Sequence, residues 1–192
     1  FKNGKVLLSE RKKFIITTTV SEGNEKMVST DYPELHNYVT CGDRIFLDDG
    51  KIELKVEKVT ARNILCEVII GGELSSRKGL TVVNKKLPLP GITEQDKRDI
   101  NFGTSVGMEW FAQSFVRKAE HIIELRKILN QYNKHAKQVV IAKIEDAEGF
   151  ENLDEIISVS DGIMVARGDL GVSVDRALVP LLQKQIIEKC NL

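Results

Sequence analysis

Residues 139–171 read VVIAKIEDAEGFENLDEIISVSDGIMVARGDLG. Two apolar runs in this segment, Val139 to Ile144 and Gly162 to Ala166, predict parallel strands that are buried on both faces. The polar segment between them, Glu151 to Val159, has the apolar spacing of a helix. A strand, a helix and a second strand form the repeating unit of α/β proteins, in which the connection is right-handed. The segment therefore predicts an α/β fold with a parallel sheet.

Charged residues stand at the ends of both predicted strands. Lys143 and Glu145 lie two positions apart, so we expect their side chains to project from the same face of the first strand. The second strand leads directly into Arg167, Gly168 and Asp169. The carboxyl ends of parallel strands are where α/β barrels carry their active sites. We therefore expect Lys143, Glu145 and Asp169 to converge there.

These side chains suit a divalent cation and a substrate that gains negative charge. Glu145 and Asp169 supply hard oxygen ligands of the kind that Mg²⁺ or Mn²⁺ takes beside water and substrate oxygens. Lys143 could stabilise a phosphoryl group or an enolate oxygen, and Gly168 lets the backbone approach a ligand closely. The alternative is a buried Lys–Glu ion pair next to an Arg-Gly-Asp surface turn. We favour a site because buried pairs are costly and are often functional.

Charge balance and cysteine spacing limit which partners and which cellular location we expect for this chain. Lysine plus arginine and aspartate plus glutamate both number 28 in a chain of 192 residues, so no net field favours nucleic acid or an anionic membrane. No segment resembles a signal peptide or a membrane span. Three scattered cysteines without a CxxC spacing predict a reducing, cytoplasmic location. The missing initial Met and the end just after a helical pattern suggest a piece of a longer protein.

The chain divides by pattern near residue 90. Residues 1–89 contain short alternating segments with turn residues between them, including a hairpin predicted at Asp49-Gly50. Residues 90–192 alternate between helical and strand patterns. We expect an N-cap at Thr93 and further elements at the ranges Met108 to Phe115 (a buried strand), Glu120 to Tyr132 (a helix) and Asp175 to Cys190 (a helix).

The segments IAKIEDAEGFENLDEI and SDGIMVARGDLGV closely resemble the pyruvate kinase family, and the similarity extends over essentially the whole chain. The chain departs from the common family form at three positions in this region. Asp146 replaces Asn and adds a negative charge near the expected metal, Phe150 replaces a smaller aliphatic residue, and Ser173 replaces an acidic residue. None of these changes removes a residue that the chemistry needs.

The resemblance implies a fold and an activity. Residues 1–89 would form a small all-β lid domain, and residues 90–192 would form a fragment of a TIM barrel, or (β/α)8 barrel, with about three strand–helix units. The parent would be a glycolytic pyruvate kinase that transfers a phosphoryl group from phosphoenolpyruvate to ADP, giving pyruvate and ATP. It would need Mg²⁺ (or Mn²⁺) and K⁺, with the K⁺ ligands outside this chain, and would be a homotetramer.

The resemblance also implies roles for individual residues. Lys143 would be catalytic, and Glu145 and Asp169 would hold the metal. The remaining roles fall to residues that would contact substrate (Ser114, Ala166, Arg167, Gly168, Asp169 and Lys143) and to residues that would contact nucleotide (Lys78 and Asp49). Without the resemblance, Lys78 would be taken for a solvated loop lysine, and turn chemistry alone would account for Asp49.

Other readings remain open on the sequence. Arg117 and Lys118 could simply begin a helix, Asp161 is expected to be structural, and Arg167 is expected to join an ion-pair network. The chain by itself could be an inactive fragment with a residual metal site. It could also be part of another metal-dependent barrel, an aldolase or lyase that acts on a pyruvate-like enolate.

Overall fold

The computed structural model of the chain describes residues 1, 4–83, 85–132 and 138–192. It divides into two compact units, Phe1–Leu87 and Pro88–Leu192, and each is described by itself. Within the described residues, every helix is too short or too polar to cross a bilayer.

The first unit is built from strands and one short 3₁₀ helix at Leu35–Asn37. Its strands are β1 (Lys5–Leu8), β2 (Lys13–Thr17), β3 (Met27–Ser29), β4 (Arg44–Leu47), β5 (Ile52–Val59), β6 (Asn63–Ile70), β7 (Gly72–Ser75) and β8 (Leu80–Val82). Six of them form a sheet in the order β3-β2-β6-β5-β4-β8, and β1 pairs with β7. Alternating residues such as Phe14 and Ile16 on β2 are fully buried, so one face of the sheet supplies the core of this unit.

The predicted hairpin at Asp49-Gly50 is confirmed, but its turn is longer than expected. Leu47 pairs with Ile52, so the residues from Asp48 to Lys51 form the connection instead of a two-residue type I′ turn. Asp48, Asp49 and Gly50 have φ angles of 50°, 56° and 82°. Aspartate and glycine tolerate this left-handed region better than most residues, which explains why they occur here.

The second unit alternates helices and strands. Its elements are α1 (Glu94–Ser105), β9 (Trp110–Gln113), α2 (Ala119–Tyr132), β10 (Val139–Ile144), α3 (Ala147–Glu151), α4 (Leu153–Val159), β11 (Gly162–Val165), α5 (Arg167–Ser173) and α6 (Val179–Cys190), with a 3₁₀ turn at Arg176–Leu178. The three strands are parallel in the order β11-β10-β9. Helix residues such as Ile122, Ile156 and Ile186 pack with Val140 and Ile144 in one core. The predicted α/β class is therefore confirmed.

Several local predictions need correction. Strand β9 is shorter than Met108 to Phe115 and is not buried, since Trp110 is 65% exposed. The predicted helix Glu151 to Val159 is observed as α4, which begins at Leu153, and a separate short helix, α3, ends at Glu151 just before it. The final helix begins at Val179, after a 3₁₀ turn, because Pro180 favours the first turn of a helix.

The ends of β10 and α1 agree with the sequence predictions. Thr93 caps α1 in a capping box: its hydroxyl accepts the Asp96 N–H, and the Asp96 carboxylate accepts the Thr93 N–H. Asp161, predicted to be structural, accepts the Val140 N–H at 2.7 Å and pairs with Arg126 at 2.8 Å. It therefore ties together the amino ends of β10 and β11, away from the carboxyl ends where a site is expected.

Candidate functional site

Lys143, Glu145 and Ser114 meet at the carboxyl ends of β9 and β10. The Lys143 Nζ lies 2.6 Å from Glu145 Oε1 and donates a hydrogen bond of 2.7 Å to Ser114 Oγ. Ser114 follows β9 directly, and the pairing of Gln113 with Ala142 places it beside Lys143. The prediction that Lys143 and Glu145 share a face is confirmed. The strand register, not a long loop, brings the three groups together.

Glu145 is a buried carboxylate whose Oε1 faces the Lys143 ammonium group. Its side chain is only 2% exposed. The Lys143 ammonium, 2.6 Å away, is the charged partner of Oε1. A buried carboxylate paired with a lysine is often part of a functional site. Carboxylate oxygens are the ligands Mg²⁺ prefers, so Glu145 fits the implied cation.

Residues 166–169 lie beyond the neighbouring strand β11. Ile144 pairs with Val165, and the Ala166 N–H donates to the Ile144 carbonyl at 3.2 Å. Ala166 therefore sits directly beside the carboxyl end of β10. Arg167, Gly168 and Asp169 form the exposed first turn of the helix α5, so the surface turn of the alternative reading is here a helical turn.

The first turn of α5 has properties that suit an anionic ligand. The amide N–H groups in the first turn of a helix have no intrahelical acceptor, and the helix dipole is positive there. A Cβ added at Gly168 would meet no atom within 4 Å, which leaves open space next to the backbone. Arg167 forms no ion pair within the part of the chain that the structure describes, so its expected network is not formed there.

Across residues 1, 4–83, 85–132 and 138–192, no three His, Cys, Asp or Glu side chains are grouped to hold a metal ion. The carboxylates that the sequence predicts as metal ligands, Glu145 and Asp169, number only two. Such a sparse protein ligand set suits Mg²⁺, which often keeps waters and takes further ligands from substrate oxygens.

The sequence predicts an extra negative charge at Asp146, next to Glu145, but in the structure this charge is paired. The Asp146 Oδ2 pairs with Arg117 Nε at 2.6 Å, and its Oδ1 accepts the Gly149 N–H at 2.8 Å as the N-cap of α3. Arg117 precedes α2 and does not merely begin that helix. The extra charge is thus neutralised by a cation from the neighbouring loop.

Ser173 also connects two elements of the site. Its Oγ accepts a hydrogen bond of 3.2 Å from the Ala147 N–H, at the start of α3. Ser173 is the last residue of α5, so this bond links the helix that carries Asp169 to the loop after Glu145. Sequence reasoning identified Ser173 only as a departure from the family form. Its partner lies 26 residues away, and no local pattern predicts that contact.

Lys78 and the turn after β4 come together in the first unit. The Lys78 Nζ lies 2.8 Å from Asp48 Oδ1, and Lys51 Nζ lies 2.9 Å from Asp48 Oδ2. These lysines lower the pKa of Asp48 below its ordinary value. Asp49, the predicted nucleotide contact, is exposed on the same turn. The sequence identified Lys78 as a candidate, but it did not predict the ion pair between Lys78 and Asp48.

A parallel α/β sheet with a lysine, a serine and a buried carboxylate near the carboxyl ends of its strands is an arrangement typical of enzymes of the α/β class. A family model described as "Pyruvate kinase, barrel domain" matches residues 1–192. The chain belongs to the pyruvate kinase family.

Individual relatives agree with that assignment. The chain is 44% identical over 192 residues to a protein named pyruvate kinase from Geobacillus stearothermophilus, covering 99% of the chain and 32% of the relative. It is 46% identical over 191 residues to one from Sporosarcina psychrophila, covering 98% and 32%. A relative from Clostridium perfringens (strain 13 / Type A) is 43% identical over 197 residues, covering 100% and 40%. The chain thus spans between 32% and 40% of the length of these relatives.

Proposed function

We propose that the protein carrying this chain is a pyruvate kinase that transfers the phosphoryl group of phosphoenolpyruvate to ADP. The bond between phosphorus and the enol oxygen breaks, a bond to the terminal ADP oxygen forms, and the released enolate takes a proton at carbon to give pyruvate. The observation that carries the proposal is the Lys143–Glu145–Ser114 cluster at the strand ends of a chain that matches the family along its full length.

The two units correspond, in this proposal, to parts of a larger barrel enzyme. The β unit, residues 1–89 by the sequence boundary, is a lid domain inserted into a (β/α)8 barrel. Residues 90–192 are about three strand–helix units of that barrel. The parallel order of β9, β10 and β11 and the all-β character of the first unit support this assignment.

Glu145 and Asp169 would hold Mg²⁺ (or Mn²⁺) in this site. When bound, the cation would supply charge neutralisation for the phosphoryl and enol oxygens of the substrate. The support from this chain is the buried Glu145 carboxylate and the exposed Asp169 in the first turn of α5.

Lys143 is the residue that we assign to the chemical step. Its ammonium group stabilises the negative charge that develops on the enolate oxygen and the transferring phosphoryl group. Ser114 accepts a hydrogen bond from the same nitrogen and so orients it. Ser114 therefore lines the substrate pocket as a positioning residue that acts through Lys143.

The segment from Ala166 to Asp169 would bind the substrate carboxylate. Backbone N–H groups of Gly168 and Asp169 would donate to it, with Ala166 and Arg167 lining the same side. The support is the open space beside Gly168 and the free first-turn amides.

Lys78 would approach the nucleotide phosphates from the lid domain, with Asp49 beside it. In the structure Lys78 contacts Asp48 instead, so a phosphate would compete with that carboxylate for the ammonium group. The family further suggests a K⁺ requirement, a homotetrameric parent, a place in glycolysis and a cytoplasmic location. The relatives described above are named pyruvate kinase, which favours phosphoryl transfer over an aldolase or lyase reaction.

The Lys143→Met substitution tests the proposal in the natural gene product that carries this chain. ATP formation from phosphoenolpyruvate and ADP is measured with Mg²⁺, with and without K⁺. We expect kcat to fall by about 100-fold or more, since a preorganised charge near developing negative charge is worth that much. Affinity for Mn²⁺ should change little, because Glu145 and Asp169 remain.

Lys189→Met is the matched control, because Lys189 forms an exposed ion pair with Asp154 on α4. Its kcat should equal that of the unsubstituted protein. An unchanged kcat in Lys143→Met would refute the role of Lys143. Turnover of a phosphate-free substrate without ADP would instead support an aldolase or lyase. The isolated 192-residue chain run in the same assay decides whether it is an inactive fragment.

A further inference from the structure

Arg117 and Asp146 form an ion pair next to the proposed site, and the proposed reaction does not use it directly. The pair is largely shielded, with side chains 15% and 18% exposed. Ion pairs at such positions are stronger and less screened by salt than exposed pairs. Asp146 directly follows the buried Glu145, and Arg117 lies three residues after Ser114.

Three further contacts join the loop after β9 to the segment from Lys143 to Asn152. The Val116 N–H donates to the Lys143 carbonyl at 3.4 Å, and the Asn152 amide donates to the Arg117 carbonyl at 2.8 Å. A Cβ at Gly149 would lie 2.5 Å from the Val116 carbonyl oxygen, so the backbone of α3 packs closely against the loop after β9. Lys118 and Glu148 also pair between these segments, but the Lys118 side chain is 56% exposed. Among the described ion pairs between the two segments, only Arg117–Asp146 has both side chains largely shielded from solvent.

The loop after β9 needs such support because its backbone is strained. Phe115, between Ser114 and Val116, has a φ of 53°. A bulky residue in this left-handed region persists only where surrounding contacts impose it. The Arg117 guanidinium lies 5.9 Å from the centre of the Phe115 ring, within the range of a cation–π contact. Arg117 therefore contacts the ring of the strained Phe115 and also forms an ion pair with Asp146.

We infer that Arg117 and Asp146 are positioning residues that hold Ser114 against Lys143. The inference rests on the proposed function for its kinetic consequence. Loss of the pair would release the loop after β9, and Ser114 would no longer fix the Lys143 ammonium group. A displacement of about 1 Å at a reacting centre can lower a rate by about 100-fold.

The chain contains a matched pair at the opposite end of the same sheet. Arg126 and Asp161 also form an Arg–Asp ion pair, at 2.8 Å, between α2 and the amino end of β11. Their side chains are 34% and 35% exposed, and neither belongs to the proposed site. Substitutions at Arg126 or Asp161 remove an ion pair of the same type but leave the contacts of the loop after β9 unchanged.

The experiment compares Asp146→Ala, Arg117→Gln and the double variant with Asp161→Ala and Arg126→Gln in the natural gene product. Asp146→Asn restores the common family residue and can still accept hydrogen bonds from Arg117 and the Gly149 N–H, so this conservative variant should keep kcat. Steady-state kinetics with phosphoenolpyruvate and ADP give kcat and both KM values. Hydrogen exchange by mass spectrometry follows peptides that cover residues 111–118 and 143–152.

We expect Asp146→Ala and Arg117→Gln each to lower kcat about 10-fold, as loss of outer-shell partners typically does, with the KM for ADP unchanged. The double variant should be no worse than either single variant, because both remove one interaction. Exchange in residues 111–118 should become faster in these variants and not in the controls.

Three results would overturn the inference. These are an unchanged kcat in both Asp146→Ala and Arg117→Gln, effects that multiply in the double variant, or unchanged exchange in residues 111–118. Hydrogen exchange in residues 111–118 tests the role of the pair even if the protein makes no ATP. Absence of turnover in the unsubstituted protein would refute only the proposed function. If Arg117→Gln fails to fold, Asp146→Ala carries the test, with Asp146→Asn as its conservative control.

Discussion

Glu145 shows how a buried charge is tolerated at a single position. An isolated carboxylate removed from water costs several kcal/mol, and a cation nearby offsets part of that cost. Lys143 lies two residues earlier on the same strand, and its ammonium is 2.6 Å from Glu145 Oε1. Because alternate residues of a strand share a face, the strand itself assembles this pair. The site's central charges therefore need no distant part of the chain to bring them together.

Asp48 gives the chain an acid-sensitive contribution to stability. Hydrogen bonds from Lys78 and Lys51 hold its pKa below the ordinary value of 3.8. Between the two values the unfolded state binds more protons, so this contribution is complete above the ordinary value and is lost as pH falls through the folded pKa. We expect Asp48→Asn to lower the free energy of unfolding at neutral pH, and the difference from the unsubstituted chain to vanish in acid. Urea unfolding at a series of pH values measures it.

Asp49→Asn is the control for that experiment, since Asp49 is exposed on the same turn and also has a positive φ. Its unfolding curve should differ little from that of the unsubstituted chain at any pH. A constant difference between Asp48→Asn and the unsubstituted chain at every pH would show that turn geometry, and not the charge, is what Asp48 contributes.

Single residues differ in how far the sequence could predict them. Lys143 and Glu145 were predictable because strand periodicity fixes their relation. Arg117 and Asp146 were not, because their pairing spans 29 residues and depends on how two loops pack. The charge of Asp146 was visible in the sequence, but its neutralisation was not.

Helix α3 packs closely against the loop that follows β9. A Cβ at Gly149 would lie 2.5 Å from the Val116 carbonyl oxygen, and both groups are backbone or backbone-attached, so neither can turn aside. We expect Gly149→Ala to lower the free energy of unfolding by about 1–3 kcal/mol, the usual cost of overpacking. Chemical denaturation of the chain measures the loss, and hydrogen exchange should place it in residues 111–118.

Gly168→Ala serves as the comparison, because Gly168 is also a helical glycine and an added Cβ there meets nothing within 4 Å. Its stability should be equal to or slightly above that of the unsubstituted chain, since alanine favours helix. Equal losses in the two variants would mean that helix propensity, and not contact with Val116, governs both positions.

Periodicity predicted the longer elements and failed at the shorter ones. Strand β10 and helix α2 have clear apolar patterns, and both were expected close to their observed bounds. Helices α3 and α5 are 5 and 7 residues long, too short for helical periodicity to distinguish them from a loop. Their formation depends on caps and tertiary contacts, such as the Asp146 N-cap and the bond from Ala147 to Ser173.

The chain as a unit contains two separate hydrophobic cores. One consists of residues from 8–82 and includes Phe14, Ile45 and Leu54, and the other consists of residues from 92–186. The first core is enclosed by its own strands. In the second unit, Trp110 on β9 and Met164 on β11 remain exposed on the two outer strands of a parallel sheet. Parallel sheets are normally covered on both faces, so the two units should behave differently when separated.

We expect residues 1–87 produced alone to fold as a monomer, because their core is complete. Residues 88–192 produced alone should self-associate, because parallel strands with unpaired edges and large exposed apolar side chains favour contact between chains. Sedimentation velocity and amide NMR dispersion measure both outcomes. Trp110, the single tryptophan, reports association through a blue shift of its emission, and Trp110→Lys should weaken it. A monomeric 88–192 with dispersed amide signals would show instead that the three-stranded sheet is stable without further covering.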